Sequence, residues 1–540
     1  MLSNLKKTKN LEISTVFLLY SIFLTIGFIS FKDYGISVDE WELREHGFSY
    51  LIYICEIFFK ETAANIKNIE HFPKLSDYFG THGPIFNVLT AFIEYFFNIT
   101  DSRNHYLMRH YTNNLVFIIG NFYFYLLVKQ RFNDWKFGII GAIFLFCSPR
   151  IFAESFYNHK DIVFLSLFII SLYYGILFYK NPNYKNIILF SFTSALAIDI
   201  RIMGIVLIPV IFFFAYFNNA EINKKIIFKI FTSLILLFLF IILFWPYLWN
   251  DPFVNFYKVL KTLSSFGHEG YNFYLGKYHL SSNPPWHYGL VWIFITTPIL
   301  YLFLFLCGFV ICSIKIFKNI ENYINNVAFG EIFSVRSGGE DFIYYILFVA
   351  PILTIIVLDS TLYTGWRHLF FVYPCFLIIC IKGVFDIKNK YFKNREKYLN
   401  IMLIFLVCQI SFNMIKNHPY QNVYFNLFIG NKAENLFELD YWGLSNKQAF
   451  EYILKTDKSS LVKIGSASSI SLKNSKTILE YKNRERILIT ENQNADYIID
   501  NYINWYKYKK KRHKIPNNFE IYKEIKINGN KILSIYKNDN

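Results

Sequence analysis

The sequence predicts an α-helical polytopic membrane protein of about eleven transmembrane helices, followed by a small α/β domain. Three observations carry that prediction. Hydrophobic residues make up 54% of the 540-residue chain and charged residues only 17%, against about a quarter charged in soluble domains. Apolar runs long enough to cross about 30 Å of hydrocarbon, roughly 20 residues each, recur along the chain. Beyond about residue 416 polar residues take over and short β-rich runs appear. The same numbers exclude a disordered chain, and 24 Gly with 14 Pro exclude a collagen-like fibre. A disulfide-rich scaffold is excluded by only 7 Cys, most of which (Cys147, Cys307, Cys312, Cys375, Cys380, Cys408) sit in apolar runs as small hydrophobes.

The spans are expected near 12–31, 112–129, 135–149, 161–179, 186–200, 202–218, 226–246, 288–313, 342–358, 367–385 and 398–415. The first follows Lys6, Lys7 and Lys9 as a signal peptide would, but it is too long and lacks a small-x-small cleavage site, so it reads as a retained anchor. A net charge of +16 in a soluble protein would suggest nucleic acid; here it follows the positive-inside rule, and no nucleic-acid partner is expected. With the N-terminus in the cytoplasm, every inside connection is basic: Lys129, Arg131 and Lys136; Lys180 and Lys185; Lys224, Lys225 and Lys229; Lys315, Lys318 and Arg336; Lys388 to Lys397. Pro84–Asn98 would break the alternation if it crossed, so it is expected to lie as a helix at the outer surface.

Residues 1–415 are thus expected as the transmembrane unit, with outer loops at 32–111 and 247–287, and residues 416–540 as an extracytoplasmic α/β domain. In that tail Asn446–Lys455 reads as a helix, and Leu461–Ile464, Tyr497–Ile499, Phe519–Ile527 and Lys531–Tyr536 read as strands. Asn528-Gly529 between the last two is a two-residue hairpin signal. The basic run Lys507–Lys514 reads as a solvated loop, or as a contact for anionic lipid headgroups.

Ionisable residues at span ends facing one compartment mark candidate chemistry in a membrane protein. Asp39-Glu40, just past the first span, has the form of a general base or metal pair; its plain structural reading is a solvated helix end. Ser148-Pro149-Arg150 through Glu154 to Asn158-His159-Lys160-Asp161 packs mixed acids and bases into one short connection. Arg201 calls for an anionic partner, either Asp199 or a phosphate, and Thr364-Gly365-Trp366-Arg367-His368 suits a phosphate equally. His82 stands beside the backbone-bending Gly83-Pro84, and Trp and Tyr at 245–249 and 286–288 read as an interfacial belt or a lipid or sugar platform. No Gly-rich phosphate loop, HExxH or Cys/His metal pair occurs. Outer-surface chemistry without ATP therefore favours a substrate already activated as a lipid phosphate.

A carboxylate pair after the first span, a surface helix in a long first loop and a second acid in the second connection together resemble the GT-C glycosyltransferases. The resemblance is to the branch of protein O-mannosyltransferases and lipid A aminoarabinose transferases, across roughly residues 10–450. Ser148–Phe152, Asn158–Ile162, Trp366-Arg367-His368, Tyr424-Phe425-Asn426 and Asp440-Tyr441-Trp442-Gly443 also look like a bacterial subgroup of that branch. The resemblance implies an inverting transfer from a polyprenyl-phosphate sugar to a lipid, glycan or protein hydroxyl at the outer face of a bacterial inner membrane. By it, Asp39 matches the catalytic base with Glu40 beside it, Asp161 the second-loop acid, and Lys160, Arg201 and Arg367 the holders of the donor phosphate. His82, His159, His368 and Trp366 would line the acceptor and donor pocket. His82-Gly83-Pro84 departs from the Lys-Pro-Pro-like element of the lipid A transferases. No cofactor is implied; Asp39 and Asp161 sharing a divalent metal is the less favoured option. The rival readings are an O-antigen ligase or polymerase, a lipid or solute transporter, and a non-catalytic scaffold. A transporter would show mid-span charges and inverted repeats with broken helices, and the sequence has neither.

Overall fold

In the computed structural model the described residues are 2–75, 82–218, 224–264, 270–324, 333, 338–393, 395–505 and 514–539. Thr81, Arg336 and the basic run Lys507–His513 fall outside them, as do the side chains of Lys6 and Lys7. The chain is a helical, polytopic membrane protein. Among the described residues eight helices are long and apolar enough to cross a membrane, or nine if one bent pair counts as a span. That revises the expected eleven, and the causes are local. Trp135–Phe146 (α6) turns by 67° at Cys147-Ser148 into Pro149–Tyr157 (α7), because Pro149 ends one helix and starts the next. The run 202–218 opens as a 3-10 turn at Ile202–Val206 before Leu207–Phe217 (α10), and Tyr184–Ile200 (α9) stops at Arg201, so both fall short. Pro298 divides the run 288–313 into Tyr288–Thr296 (α13) and Ile299–Ile324 (α14), which leaves the count unchanged because α14 alone is long enough to span.

The first helix, Leu2–Ser30 (α1), leads into Glu40–Phe58 (α2), Lys60–Ile69 (α3) and the 12-residue Ile85–Phe96 (α4). Helix α4 is far too short to span, and it packs on α2 rather than standing alone. Phe48, Leu51, Ile52, Cys55, Ala63, Ile66, Phe72 and Ala91 bury a small core of their own beneath it. Ser102–Phe132 (α5), Asp161–Lys180 (α8) and Tyr373–Tyr391 (α16) are buried over most of their length and form the centre of the bundle. Helix α14 lies against α16 at Gly308 and Gly383, where a Cβ would strike the main-chain oxygens of Ile379 and Leu304. Such small-residue contact is what brings helix backbones together where lipid gives no hydrophobic drive.

One end of the bundle is closed by ion pairs. Arg131 and Lys315 pair with Asp341, Lys180 with Glu340, and Lys129 with Glu12, joining α5, α8, α14 and α1 to Gly339–Val357 (α15). The opposite end carries Asp39, Asp161, Arg201 and Arg367, because α6 and α7 return the chain from the end of α5 to the start of α8. The tail adds Ser445–Thr456 (α18), after Glu396–Lys416 (α17), and a five-stranded mixed sheet. Its strands are Val462–Ser466 (β3), Ile487–Ile489 (β4), Tyr497–Asp500 (β5), Phe519–Ile527 (β6) and Asn530–Asn538 (β7), in the order β4-β3-β5-β7-β6. Asn528 and Gly529 both have positive φ, which is the conformation the Asn-Gly hairpin requires. Strand β4 and the hairpin Tyr271–Tyr274 (β1) with Lys277–Leu280 (β2) are elements the sequence pattern does not announce.

Candidate active site

The loop that delivers Asp39 is clamped from several sides. Tyr34 Oη donates to Gln421 (2.9 Å), Asp33 pairs with His418 (2.9 Å), and Gln448 Nε2 donates to the Asp33 carbonyl (3.0 Å). Ser37 Oγ donates to the Tyr157 carbonyl at 3.2 Å, so α7 and the tail fix the loop between them. Asp39 ends this loop as the N-cap of α2, half exposed, with its Oδ2 accepting from Arg367 Nη1 at 2.8 Å. Glu40, the next residue, points the other way. It is fully buried, accepts from the Ser37 amide (2.6 Å) as a capping-box carboxylate does, and lies 2.9 Å from His110 Nε2 and 3.4 Å from His159 Nε2. The two adjacent carboxylates therefore serve opposite sides of the backbone.

Asp161 opens α8. Its side chain is buried, accepts from Asn158 Nδ2 at 3.0 Å and is ion-paired with Arg201. Arg201 thus takes Asp161, not the alternative Asp199. Asp199 instead ties down the first loop: its carbonyl accepts from the Gly83 amide (2.7 Å) and its Oδ1 from the Ile85 amide (3.0 Å) at the start of α4. A Cβ at position 83 would collide with Asp199, which explains a glycine between His82 and Pro84.

Lys160 sits between these two ion pairs. Burial, and then the Arg201 charge, bring its ammonium down to about 7 against the pull of Asp161 and Asp39. Arg367 and Arg201 make this a compact group of three cations beside two carboxylates. His82 faces the same group: burial and the charges of Lys160 and Arg201 push its pKa well below the ordinary range, so the imidazole is neutral. Glu42, three residues after Asp39, is raised by burial and by Asp39, with Lys160 opposing. His46, one turn further along α2, is brought down to about 3 by burial and Lys160, and faces Asn87 Nδ2 at 3.2 Å.

Not every expected pocket residue turns toward this group. His159 turns to Glu40 and Phe86. Trp366 turns inward, donating from Nε1 to Thr296 Oγ1 (2.8 Å) and packing on Phe370 and Tyr373. His368 packs on the Tyr363 ring at 4.8 Å but stays beside the group, where the charges of Arg201, Arg367 and Lys160 act on its buried imidazole. The structure brings together Asp39, Asp161, Lys160, Arg201, Arg367, His82 and His368.

The tail supplies an aromatic partner of this group, Trp442. The Arg367 guanidinium lies 4.6 Å from the Trp442 ring and 5.2 Å from that of Tyr363. Tyr441 Oη donates to Glu154 of α7 at 3.0 Å, and Asp440 accepts from the Ser445 amide (2.8 Å), holding the turn in shape. Burial raises Asp440 to about 6 even so. Arg150 rests between Trp292 (5.2 Å) and Phe425 (5.1 Å), and Asn426 Nδ2 donates to the Phe294 and Thr297 carbonyls at the break after α13. Glu42, His46 and Trp442 are absent from the sequence-based candidates. The i+3 and i+7 spacing from Asp39 was a usable signal for the first two. Trp442 had none beyond its place in a segment of resemblance. Among the described residues no three His, Cys, Asp or Glu side chains assemble into a metal-ligand set.

Residues 82–247 match the family model described as dolichyl-phosphate-mannose-protein mannosyltransferase. That segment contains His82, Lys160, Asp161 and Arg201 and leaves Asp39 and Arg367 outside. With the membrane-spanning helices, this match describes an integral membrane glycosyltransferase that uses a lipid-phosphate-linked sugar. That family match covers less than a third of the chain. Among solved structures it is similar to the archaeal oligosaccharyltransferase AglB from Archaeoglobus fulgidus in complex with an inhibitory peptide and a dolichol-phosphate. There the identity is 12%, the coverage 92% of this chain and 70% of that one, and the TM-score 0.49. It is also similar to ArnT from Cupriavidus metallidurans bound to undecaprenyl phosphate, at 8% identity, 97% and 98% coverage and a TM-score of 0.45. No curated protein sequence matches the chain.

Proposed function

We propose that the chain is an inverting glycosyltransferase that moves a sugar from a polyprenyl-phosphate donor to an acceptor hydroxyl at the outer face of a bacterial inner membrane. The observation that carries this reading is the convergence of Lys160, Arg201 and Arg367 around Asp39 and Asp161 at one end of the bundle. Three cationic side chains beside two carboxylates leave positive charge for an anion whenever Lys160 holds its proton. A donor phosphate placed there would also compete with Asp39 for Arg367 and so free the carboxylate as a base. The donor then prepares its own catalyst.

In the reaction Asp39 takes the proton from the acceptor hydroxyl, whose oxygen attacks the anomeric carbon from the face opposite the phosphate. The bond from carbon to phosphate oxygen breaks, and polyprenyl phosphate leaves with the electron pair. Lys160, Arg201 and Arg367 neutralise the charge that grows on it, each donor contributing a few kcal/mol (about 2.7–4 for a well-aimed one). Asp161 holds Arg201 in place, and Glu40 anchors the loop behind Asp39. The prenyl chain would run down the apolar surface between spans, with membrane lipids around it, and the acceptor is a lipid, glycan or protein. The N-terminus then lies in the cytoplasm and residues 416–540 outside the membrane.

Transfer from radiolabelled polyprenyl-phosphate sugars in proteoliposomes tests this. Wild type is expected to move label to an acceptor, and Asp39→Asn to lose about 10²–10⁴-fold in rate while still binding donor. Equal rates in both would move the base elsewhere. Failure of wild type to bind any such donor would end the lipid-phosphate reading.

A further inference from the structure

A second cavity lies away from the cation group, on the distal half of α2. It has a volume of about 540 Å³, within the range of about 300–1,000 Å³ that small-molecule sites occupy. Ser49, Ile52, Tyr53 and Glu56 line it from α2, at i, i+3, i+4 and i+7 and hence from one helix face. The extended segment 70–75 forms a second wall and the turn around 247–255 a third. These walls are built rather than incidental. Ser49 Oγ donates to the Pro73 carbonyl (2.7 Å), Arg44 Nη2 to Glu70 (2.9 Å), and Asn255 Nδ2 to the Tyr247 carbonyl (2.9 Å). Phe48 and Phe72 stack at 4.4 Å within the small core beneath, which anchors the segment 70–75 to α2.

The lining chemistry is selective. Its two carboxylates, Glu56 and Glu70, are balanced by two ammonium groups, Lys67 and Lys74. That disfavours a phosphate, in contrast to the cation group around Lys160. Asn250 and Asn255 add planar amides, while Tyr53 and Tyr247 add ring faces next to Trp249, which lies 6.2 Å from Tyr53. Ring faces with amides and paired charges suit a neutral ligand rich in hydroxyls, and the polar content disfavours an acyl chain. Tyr53 lies fourteen residues beyond Asp39, so the cleft is about 20 Å from the proposed base along α2.

We infer that this cleft binds the distal sugars of an uncharged glycan whose reacting hydroxyl extends toward Asp39. The acceptor is then an oligosaccharide of several units rather than a lone serine or threonine. This identification of the acceptor rests on the transferase reading above, but occupancy of the cleft is testable without it.

The test uses the full chain in nanodiscs and neutral homo-oligosaccharides from disaccharide to hexasaccharide, followed by saturation-transfer NMR. Affinity should rise with length, and Tyr53→Ala and the exposed-site block Asn250→Trp should each weaken binding about tenfold or more. Asp39→Asn should bind as wild type. The inference is overturned if no oligosaccharide binds or if both cleft variants bind like wild type. Undecaprenyl phosphate binding, measured in the same nanodiscs, separates the two claims. Sugar binding lost in Asn250→Trp with no lipid phosphate bound by any variant would remove the transferase reading and keep the cleft.

Discussion

Replacing Trp442 by Leu should weaken donor use without touching any group proposed to meet the donor. Trp442 is 1% exposed, and its ring lies 4.6 Å from the Arg367 guanidinium that bonds Asp39 at 2.8 Å. A desolvated cation–π contact of this kind contributes about 2 kcal/mol. The Tyr363 ring at 5.2 Å stays in place, so about 1–2 kcal/mol of positioning should be lost, a factor of about 5–30. Leu keeps the site apolar, whereas Ala would add a cavity costing about 3–5 kcal/mol and would confound folding with function. The assay is initial rates against donor concentration in proteoliposomes, well below the unfolding temperature of each variant. Donor KM is expected to carry most of the 5- to 30-fold fall in kcat/KM, to about that extent, with Trp442→Phe close to wild type. Should Trp442→Leu leave donor KM unchanged while Arg367→Lys raises it, the tail ring does not position Arg367 and the reasoning fails.

Three further outcomes follow from the same geometry. Glu40→Gln removes a buried carboxylate that accepts from Ser37 and faces His110; it should lower stability by about 1–3 kcal/mol, read by thermal unfolding, while the folded fraction keeps its kcat. A large loss of kcat at full folding would make Glu40, not Asp39, the base. Lys160, at about 7 because of burial and Arg201, carries its charge below that pH and loses it above, so donor KM should rise as pH climbs from about 6 to 8. Lys160→Arg, charged throughout, should flatten that profile, and a wild-type profile that is already flat would remove Lys160 from the phosphate site. The same depressed value makes the protein more stable as pH rises from about 7 toward 10, where the unfolded chain still binds a proton that the folded site has released. Gly83→Ala should push the first loop off Asp199, whose carbonyl oxygen would lie 2.6 Å from the new Cβ. Its signature would be earlier proteolysis near residue 82 and a fall in activity, and unchanged proteolysis would show that the loop can yield.

Ordinary sequence rules reached some of this architecture and missed the rest for identifiable reasons. The helical bundle was legible because apolar length is a local property, and the Asn528-Gly529 hairpin because its turn chemistry is local too. The count of eleven spans failed where a single residue divides an apolar run, at Pro149 and Arg201, since hydropathy registers such breaks weakly. Asp39, Lys160, Asp161, Arg201 and Arg367 were legible as charges at span ends, where burying an ion needs a reason. Their pairing was not. Arg201 has a carboxylate two residues away in Asp199, yet α9 ends in a turn that sends the guanidinium to Asp161 and leaves Asp199 for the Gly83 and Ile85 amides. Glu40 and Asp39 show the same limit at one-residue range, because a helix start separates neighbouring side chains by about 100° and aims them at different surroundings. The tail was the least legible part. Gln421, Gln448 and Trp442 reach Asp33, Tyr34 and Arg367 across some four hundred residues or fewer of intervening chain, and no local pattern encodes such a contact. That places residues from 416 onward against the loop that carries the proposed base Asp39, so deleting them should cost donor affinity even in a protein whose spans remain folded.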